Sequence, residues 1–363
     1  MSRRAPAFDR FARWQPAAAW AALIGIVLAL ALAVWTAPGA PPSRPAAPVT
    51  AAPSAGPQRD TDLQLYDRIA ERVAGGESYY TAAIAEQRAR NFPVRPALAV
   101  RLPTLAWLTA WLGPNGLLAL AGLLGVGVLA AWWQRLGEEP GGHERRAIAM
   151  LLLAIGALAG FKPEYLAIHE VWAGLLLALG GGLHRPGKWR AAWLPVALAL
   201  AIREQALPFA LLLAAMAAWR RDWRELIAWL TLIVLFGVGL ALHLQAAGAH
   251  LLPSDRPSPP WLVFRGLRGW TGNVVQSSVL HWLPTWLAAP LALLPLVGWA
   301  GWKSPAGAFY TLLFGGYGLL FMIAGRDNNF YWALVVTPLW FVGFAFLPMA
   351  VRSLLASAAP ARS

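Results

Sequence analysis

The sequence predicts an all-α polytopic membrane protein with about ten transmembrane helices. Of its 363 residues, 58% are apolar and 13% are charged, about half the charged share of a soluble protein. Uncharged runs such as 17–35 and 226–244 have about the length that crosses a bilayer. Short arginine-rich stretches separate the apolar runs. Together these exclude an ordinary soluble enzyme. There is no cysteine, so disulfides and thiolate metal sites are excluded as well.

Residues 1–16, with Arg3, Arg4, Arg10 and Arg13, form a cytoplasmic N-terminus before a first membrane anchor at 17–35. At about 19 residues this run exceeds the roughly 7–15 of a signal-peptide core and reads as an uncleaved anchor. The stretch 36–58, rich in Pro, Ala, Ser and Gly, buries no core and is an extended tether. Residues 59–114 form an outer, periplasmic loop with juxtamembrane helices, 115–351 a membrane helix bundle, and 352–363 a cytoplasmic tail.

Nine further spans are expected at 115–136, 147–161, 168–183, 191–202, 206–219, 226–244, 282–302, 306–324 and 330–351. An even count puts both termini on one side. The basic loops 135–146, 184–190 and 220–224, Lys303 and Arg352 then all fall inside, as the positive-inside rule asks of a multi-pass protein of the cell inner membrane. Residues 191–219 decide the count. As one helix they would run about 43 Å against a hydrocarbon core of about 30 Å. Two short helices meeting at Arg203-Glu204-Gln205, with Pro208 opening the second, satisfy the charge rule. Their shortness suggests a cavity at the outer face. The stretch 98–112, with Arg101 and Pro103, is assigned to the outer surface as an interfacial helix.

In the first outer loop Leu63, Tyr66, Ile69, Ala70 and Val73 recur at helical spacing, with Asp60, Thr61 or Asp62 as cap and Gly75 as stop. A second amphipathic helix runs from near Ser78 to Arg90, before Asn91-Phe92-Pro93. An acidic residue after the first span, a Tyr four positions on, a small residue four further, a Gly turn and a Tyr pair are written here as Asp62, Tyr66, Ala70, Gly75 or Gly76, and Tyr79-Tyr80. This pattern resembles the first-loop signature of the GT-C polytopic membrane glycosyltransferases. The Pro-rich entry from Arg95-Pro96 to Pro114, the cationic outer turn at Arg203, and the outer turns Lys162-Pro163-Glu164 and Arg326-Asp327-Asn328-Asn329 are similar too, and the likeness covers most of residues 17–220.

The resemblance implies a sugar moved from a polyprenyl-phosphate or polyprenyl-diphosphate donor to a glycan, lipid or protein acceptor at the outer membrane face, with inversion. Asp62 or Asp60 is then the general base, and either is equally at home as a helix cap. Retention would need a second carboxylate at about 5 Å, for which Glu77, Glu164 and Glu170 stay open. Arg203, Lys162, Arg101, Arg326 and His169, with Tyr66, are the candidate phosphate- and substrate-binding residues at the outer span ends. For Arg203 the competing role is an ion pair with Glu204.

His169-Glu170 beside Lys162-Pro163-Glu164 contains metal-ligand types without metal-ligand spacing, so a divalent cation is allowed but not required. His243 and His250 read as solvated interfacial residues. Most of the 21 Trp read as an aromatic belt. Trp261, Trp270, Trp282 and Trp286 are the exceptions, in or just after a fourth outer loop, 245–281, long enough to cover a cavity. Gly180-Gly181-Gly182 lacks the Lys-Ser/Thr of a phosphate loop, so a soluble nucleotide donor is not expected. The net charge of +13 suits an anionic membrane-lipid donor and not nucleic acid. The alternative from another class is a transporter or flippase of a lipid-linked or amphipathic solute, for which neither an internal repeat nor midplane charge is found.

Overall fold

The computed structural model describes residues 8–37 and 61–359, with the side chains of Thr61 and Asp62 outside that description. Asp60 and the tether 38–58 lie outside the described residues. Among the described residues there is no strand, only four isolated bridges, and the architecture is all-α.

Helix α1 (Pro16–Trp35) opens with Pro at its first turn and buries only Ala19 and Ala33, so Val27, Leu28 and Trp35 face outward. α2 (Thr61–Ala74) and α3 (Tyr79–Ala89) meet at Gly76, whose φ of 89° suits glycine. Ser78 caps α3 by accepting from the Thr81 amide. α4 (Thr104–Glu138) joins the predicted interfacial stretch to the next span through a kink at Gly113 (φ 64°) before Pro114. α5 (Arg146–Gly156) continues through 3-10 turns at Leu158–Phe161 and Pro163–Ala167 into α6 (His169–Leu183), the central helix, with 13 of 15 residues buried. α7 (Arg190–Ile202) and α8 (Leu207–Trp219) are 13 residues each and turn at Arg203–Gln205. They are about 20 Å long, and α9 (Trp223–Gly248) flanks them.

Two expectations change in the C-terminal third. The fourth outer loop contains a buried helix, α10 (Gly266–Gln276), packed on α11 (Thr285–Gly301) and α12 (Pro305–Ile323). Its glycines are poor helix formers, yet a Cβ at Gly269 would meet the Phe321 carbonyl oxygen, so close packing requires the glycine. The predicted span 330–351 is not one helix. A 3-10 stretch (Asp327–Val335) leads into α13 (Thr337–Trp340), another 3-10 stretch (Phe341–Ala345) and α14 (Leu347–Ala358), with a bend of 50°. Pro338 and Pro348 interrupt the backbone ladder. Gly343 lies so close to Gly298 of α11 that neither position has room for a side chain.

Among the described residues four segments are long and apolar enough to cross a membrane, Pro16–Trp35, Ala97–Glu138, Trp223–Gly248 and Pro305–Ile323, with a fifth if the bent C-terminal pair is one span. The other predicted spans are helical but short or broken, so ten crossings do not follow from helix length alone.

The loops nevertheless sort to two ends. At one end Lys303 N donates to Phe8 O (2.8 Å), Trp302 Nε1 to Pro140 O (2.7 Å) and Arg185 to Glu138 (2.6 Å). There too Gly187 N and Arg220 both donate to Glu225 (2.9 Å each), and Ser357 Oγ donates to Phe11 O (2.8 Å). These hydrogen bonds join every basic loop assigned to the inner side. The opposite end carries α2, α3 and the turns at Lys162, Arg203 and Arg326.

Candidate functional site

The site lies at that opposite end. Leu65 and Ile69 of α2 pack with Tyr79, Ala83 and Ile84 of α3 and with Val94, Val100 and Ala247. This cluster seats α2 on the bundle and aims Tyr66, one position from Leu65, at α6. The Tyr66 ring meets His169 edge-on at 5.1 Å between centroids. Its hydroxyl accepts from Arg101 Nε at 3.3 Å, and Arg101 Nη2 donates to the Tyr331 hydroxyl at 3.3 Å. Tyr331 also accepts from Asn329 Nδ2 (3.2 Å), and Asn329 Oδ1 accepts from the Arg326 amide (3.0 Å) and Nε (3.3 Å). The buried Tyr79 hydroxyl donates to Arg101 O (2.6 Å), and burial pushes its pKa up, which keeps it a donor.

This network is the wall between two cavities, both lined by Tyr66, Asn328 and Tyr331. Chamber one, about 540 Å³, is lined by five arginines, Arg90, Arg101, Arg203, Arg256 and Arg326, and by one carboxylate, Glu204. Chamber two, about 460 Å³, contains Lys162, Glu170, Ser277, Ser278 and His281 among apolar side chains that include Leu158, Trp282 and Phe330. Those three apolar residues are exposed, so the chamber has apolar side chains at its solvent-facing rim, between the end of α5 and the start of α11. A third, largely apolar groove of about 720 Å³ runs between α2 and the first part of α4, with Asp67, Glu71 and Glu164 on it.

An ion pair passes through the wall. Arg203 is buried, its Nε bonded to Glu170 Oε1 at 2.8 Å and its Nη1 to Glu204. With the Gln205 amide turned to satisfy both its ends, its oxygen accepts from Trp332 Nε1 (3.2 Å) and Arg203 Nη2 (3.3 Å). Arg203 is therefore neutralised by two carboxylates. Arg90 is paired with Glu86. Arg101, Arg256, Arg326 and Lys162 have no carboxylate partner among the described residues.

A strap, residues 249–265, lines one side of chamber one through Arg256, Ser258, Pro259 and Trp261. Arg88 of α3 grips Asp255 bidentately (2.6 and 2.8 Å), and Asp255 also accepts from the Leu252 amide (2.7 Å). The Arg88 hydrogen bonds hold the Asp255 carboxyl down to about 2, against the opposing effect of its burial. The strap then pairs with the first outer loop, Val94 N to Arg256 O (3.0 Å) and Ser258 N to Arg95 O (2.6 Å). It goes on to meet the end of α12, Val263 N to Ile323 O (3.1 Å).

Of the residues expected from sequence, Tyr66, Arg101, Arg203 and Arg326 meet in chamber one. Lys162 stands apart in chamber two, its ammonium 5.3 Å from the Tyr165 ring centroid. His169 reaches neither chamber. It is buried behind Tyr66 on the third groove, its Nδ1 without a partner among the described residues. The backbone of Asp62 lies in the first turn of α2, next to Leu63, which lines chamber two. Asp60 and the Asp62 side chain lie outside the description. Glu77 is held by Arg72 in two bonds of 2.6 Å, and Glu164 lies on the third groove.

Trp261 lines chamber one and Trp282 chamber two, whereas Trp270 is packed on Gly318 and Trp286 is exposed. His243 is buried, not solvated, and bonds Val100 O (3.1 Å) and the Tyr80 hydroxyl (3.2 Å). Sequence reasoning missed Arg90 and Arg256. Arg90 read only as a helix end, and Arg256 gains its place through strap pairing that leaves no local signal. No group of three His, Asp or Glu side chains poised for a metal occurs among the described residues. Compared with known protein families, curated proteins and solved structures, the chain matches none.

Proposed function

We propose that the protein is a membrane glycosyltransferase of the cell inner membrane, with both termini cytoplasmic. It transfers a sugar from a polyprenyl-phosphate donor to an acceptor hydroxyl at the outer face. The observation that carries this reading is chamber two. A cation with no carboxylate partner among the described residues, Lys162, sits in a cavity that carries exposed apolar side chains and whose wall includes Leu63, next to Asp62. An ammonium in a cavity with exposed apolar side chains at its rim suits a phosphate with a long hydrocarbon tail.

In this reading Lys162 holds the donor phosphate, and the prenyl chain leaves past Leu158, Trp282 and Phe330. The Asp62 carboxylate takes the proton of the acceptor hydroxyl. The acceptor oxygen bonds to the anomeric carbon, the bond from that carbon to the phosphate oxygen breaks, and polyprenyl phosphate leaves carrying the electron pair. A single displacement of this kind inverts the anomeric centre. Arg203, already neutralised by Glu170 and Glu204, holds the wall and not the phosphate.

The test uses proteoliposomes loaded with a polyprenyl-phosphate sugar radiolabelled in the sugar. A transferase releases the label from the lipid when extracts supplying acceptors are added. A transporter or flippase moves the intact lipid-linked sugar between leaflets, and that result would replace the reading.

A further inference from the structure

The proposed transfer uses chamber two and leaves the arginine-lined chamber without a task. We propose that chamber one is a second anion site that takes a phosphate group carried by the acceptor sugar, an assignment that rests on the transferase reading.

Charge comes first. Five arginines face one carboxylate in chamber one, and Glu86, Glu170 and Glu204 account for Arg90 and Arg203. Arg256 and Arg326 have no carboxylate within ion-pair distance among the described residues, and Arg101 has none either, although it is attracted to Glu170 and Glu204 from farther off. Arg256 spends one N–H on Asn91 O (2.6 Å), Arg326 one on Asn329, and Arg101 two on phenols. A guanidinium carries five N–H donors, so each has donors to spare. Five arginines against Glu86, Glu170 and Glu204 leave a surplus of two positive charges, which matches a dianionic phosphate, and arginine grips phosphate bidentately.

The surroundings suit a sugar. Trp261 and Trp332 supply ring faces, and Gln205 and Asn328 supply amides. The volume of about 540 Å³ falls within the roughly 300–1,000 Å³ of small-molecule sites. The strap lines one side of the chamber with Arg256, Ser258, Pro259 and Trp261, whereas chamber two carries exposed apolar side chains at Leu158, Trp282 and Phe330. The chambers meet at Tyr66, Asn328 and Tyr331, so a sugar anchored by its phosphate in one can present a hydroxyl to the donor in the other.

The experiment is calorimetric titration of the full chain in phosphatidylcholine nanodiscs with glucose 6-phosphate, glucose and glucuronate, beside a binding measurement with polyprenyl phosphate placed in the discs. Glucose 6-phosphate is expected to bind saturably. Arg256→Gln and Arg326→Gln should each weaken it at least about tenfold, the loss of a charge-assisted hydrogen bond. Arg256→Lys should recover part of the loss, which separates lost charge from lost folding. Lys162→Gln should leave glucose 6-phosphate binding unchanged while weakening polyprenyl phosphate.

Wild-type binding by both arginine variants overturns the proposal, as does glucuronate binding as tightly as the phosphosugar. Equal loss of polyprenyl phosphate in the arginine variants also overturns it, because it assigns these arginines to the donor. If glucose 6-phosphate binds as expected but label never leaves a polyprenyl-phosphate sugar, the transferase reading fails and the anion site stands.

Discussion

Arg203 reaches Glu170 across the wall between the two chambers, Nε to Oε1 at 2.8 Å, with both side chains almost wholly buried. The pair joins the α7–α8 turn to the first turn of α6. It fixes the position of the wall because a buried charge without its partner is costly. Removing one partner of such a pair costs about 3–5 kcal/mol. Arg203→Met and Glu170→Gln should each lower the unfolding temperature in detergent by several degrees. The double variant Arg203→Met/Glu170→Met should be less destabilised than the sum of the two singles. Singles that unfold like wild type would mean the pair does not hold the wall.

The strap is clamped by Arg88 and Asp255, and its acid stability follows from the depressed carboxyl. Asp255 titrates at about 2 when folded against an ordinary 3.8. Its contribution is thus fully present above about pH 4 and is lost as pH falls through 2. Hydrogen exchange of the Val94 and Ser258 amides should stay slow down to about pH 4. In Asp255→Asn it should be fast at neutral pH, with the bundle unaffected.

Close helix approach at Gly298 and Gly343 is required by the broken C-terminal segment. Gly298→Ala places a methyl group on the Gly343 carbonyl, an overpacking cost of about 1–3 kcal/mol or more. Gly315→Ala, with nothing within 4 Å of the added carbon, is the matched control. Folded yield by size-exclusion chromatography should fall for the first and hold for the second.

The absence of cysteine allows a direct test of sidedness. Single-cysteine variants Glu164→Cys and Ser254→Cys should label with a membrane-impermeant maleimide on intact cells. Lys188→Cys and Arg352→Cys should label only after permeabilisation. Labelling of all four from outside would contradict the inside assignment of the basic loops.

Much of the fold was legible because hydrophobic run length and basic loops are local signals. The Arg203 turn between two 13-residue helices is an example, since residues 191–219, apolar apart from Arg203-Glu204-Gln205, are too long for one span and Pro208 marks a helix start. α10 was hidden because Gly266, Gly269 and Gly272 argue against a helix until Phe321 and its neighbours surround it. Phe330–Val351 looked like one span because hydropathy does not register the breaks at Pro338 and Pro348. Arg101, Arg203 and Arg326 could be picked out by their place at span ends, and Tyr66 by its spacing from Asp62 in the first outer loop. The division of Lys162 from the arginines could not, because it depends on Tyr66 and Tyr331 meeting Arg101 from segments far apart in sequence. The clamp of Arg88 on Asp255, 167 positions apart, is equally non-local.

In the proposed transfer Asp62, at the start of α2 and next to Leu63 of chamber two, takes the acceptor proton. The most direct test of this role is the rate of sugar release from a polyprenyl-phosphate donor by reconstituted wild type, Asp62→Asn and Asp60→Asn at equal folded protein. Asp62→Asn should lose about 100-fold or more of the rate, the worth of a positioned general base, with donor binding retained. Full activity in both the Asp62 and Asp60 variants would contradict it.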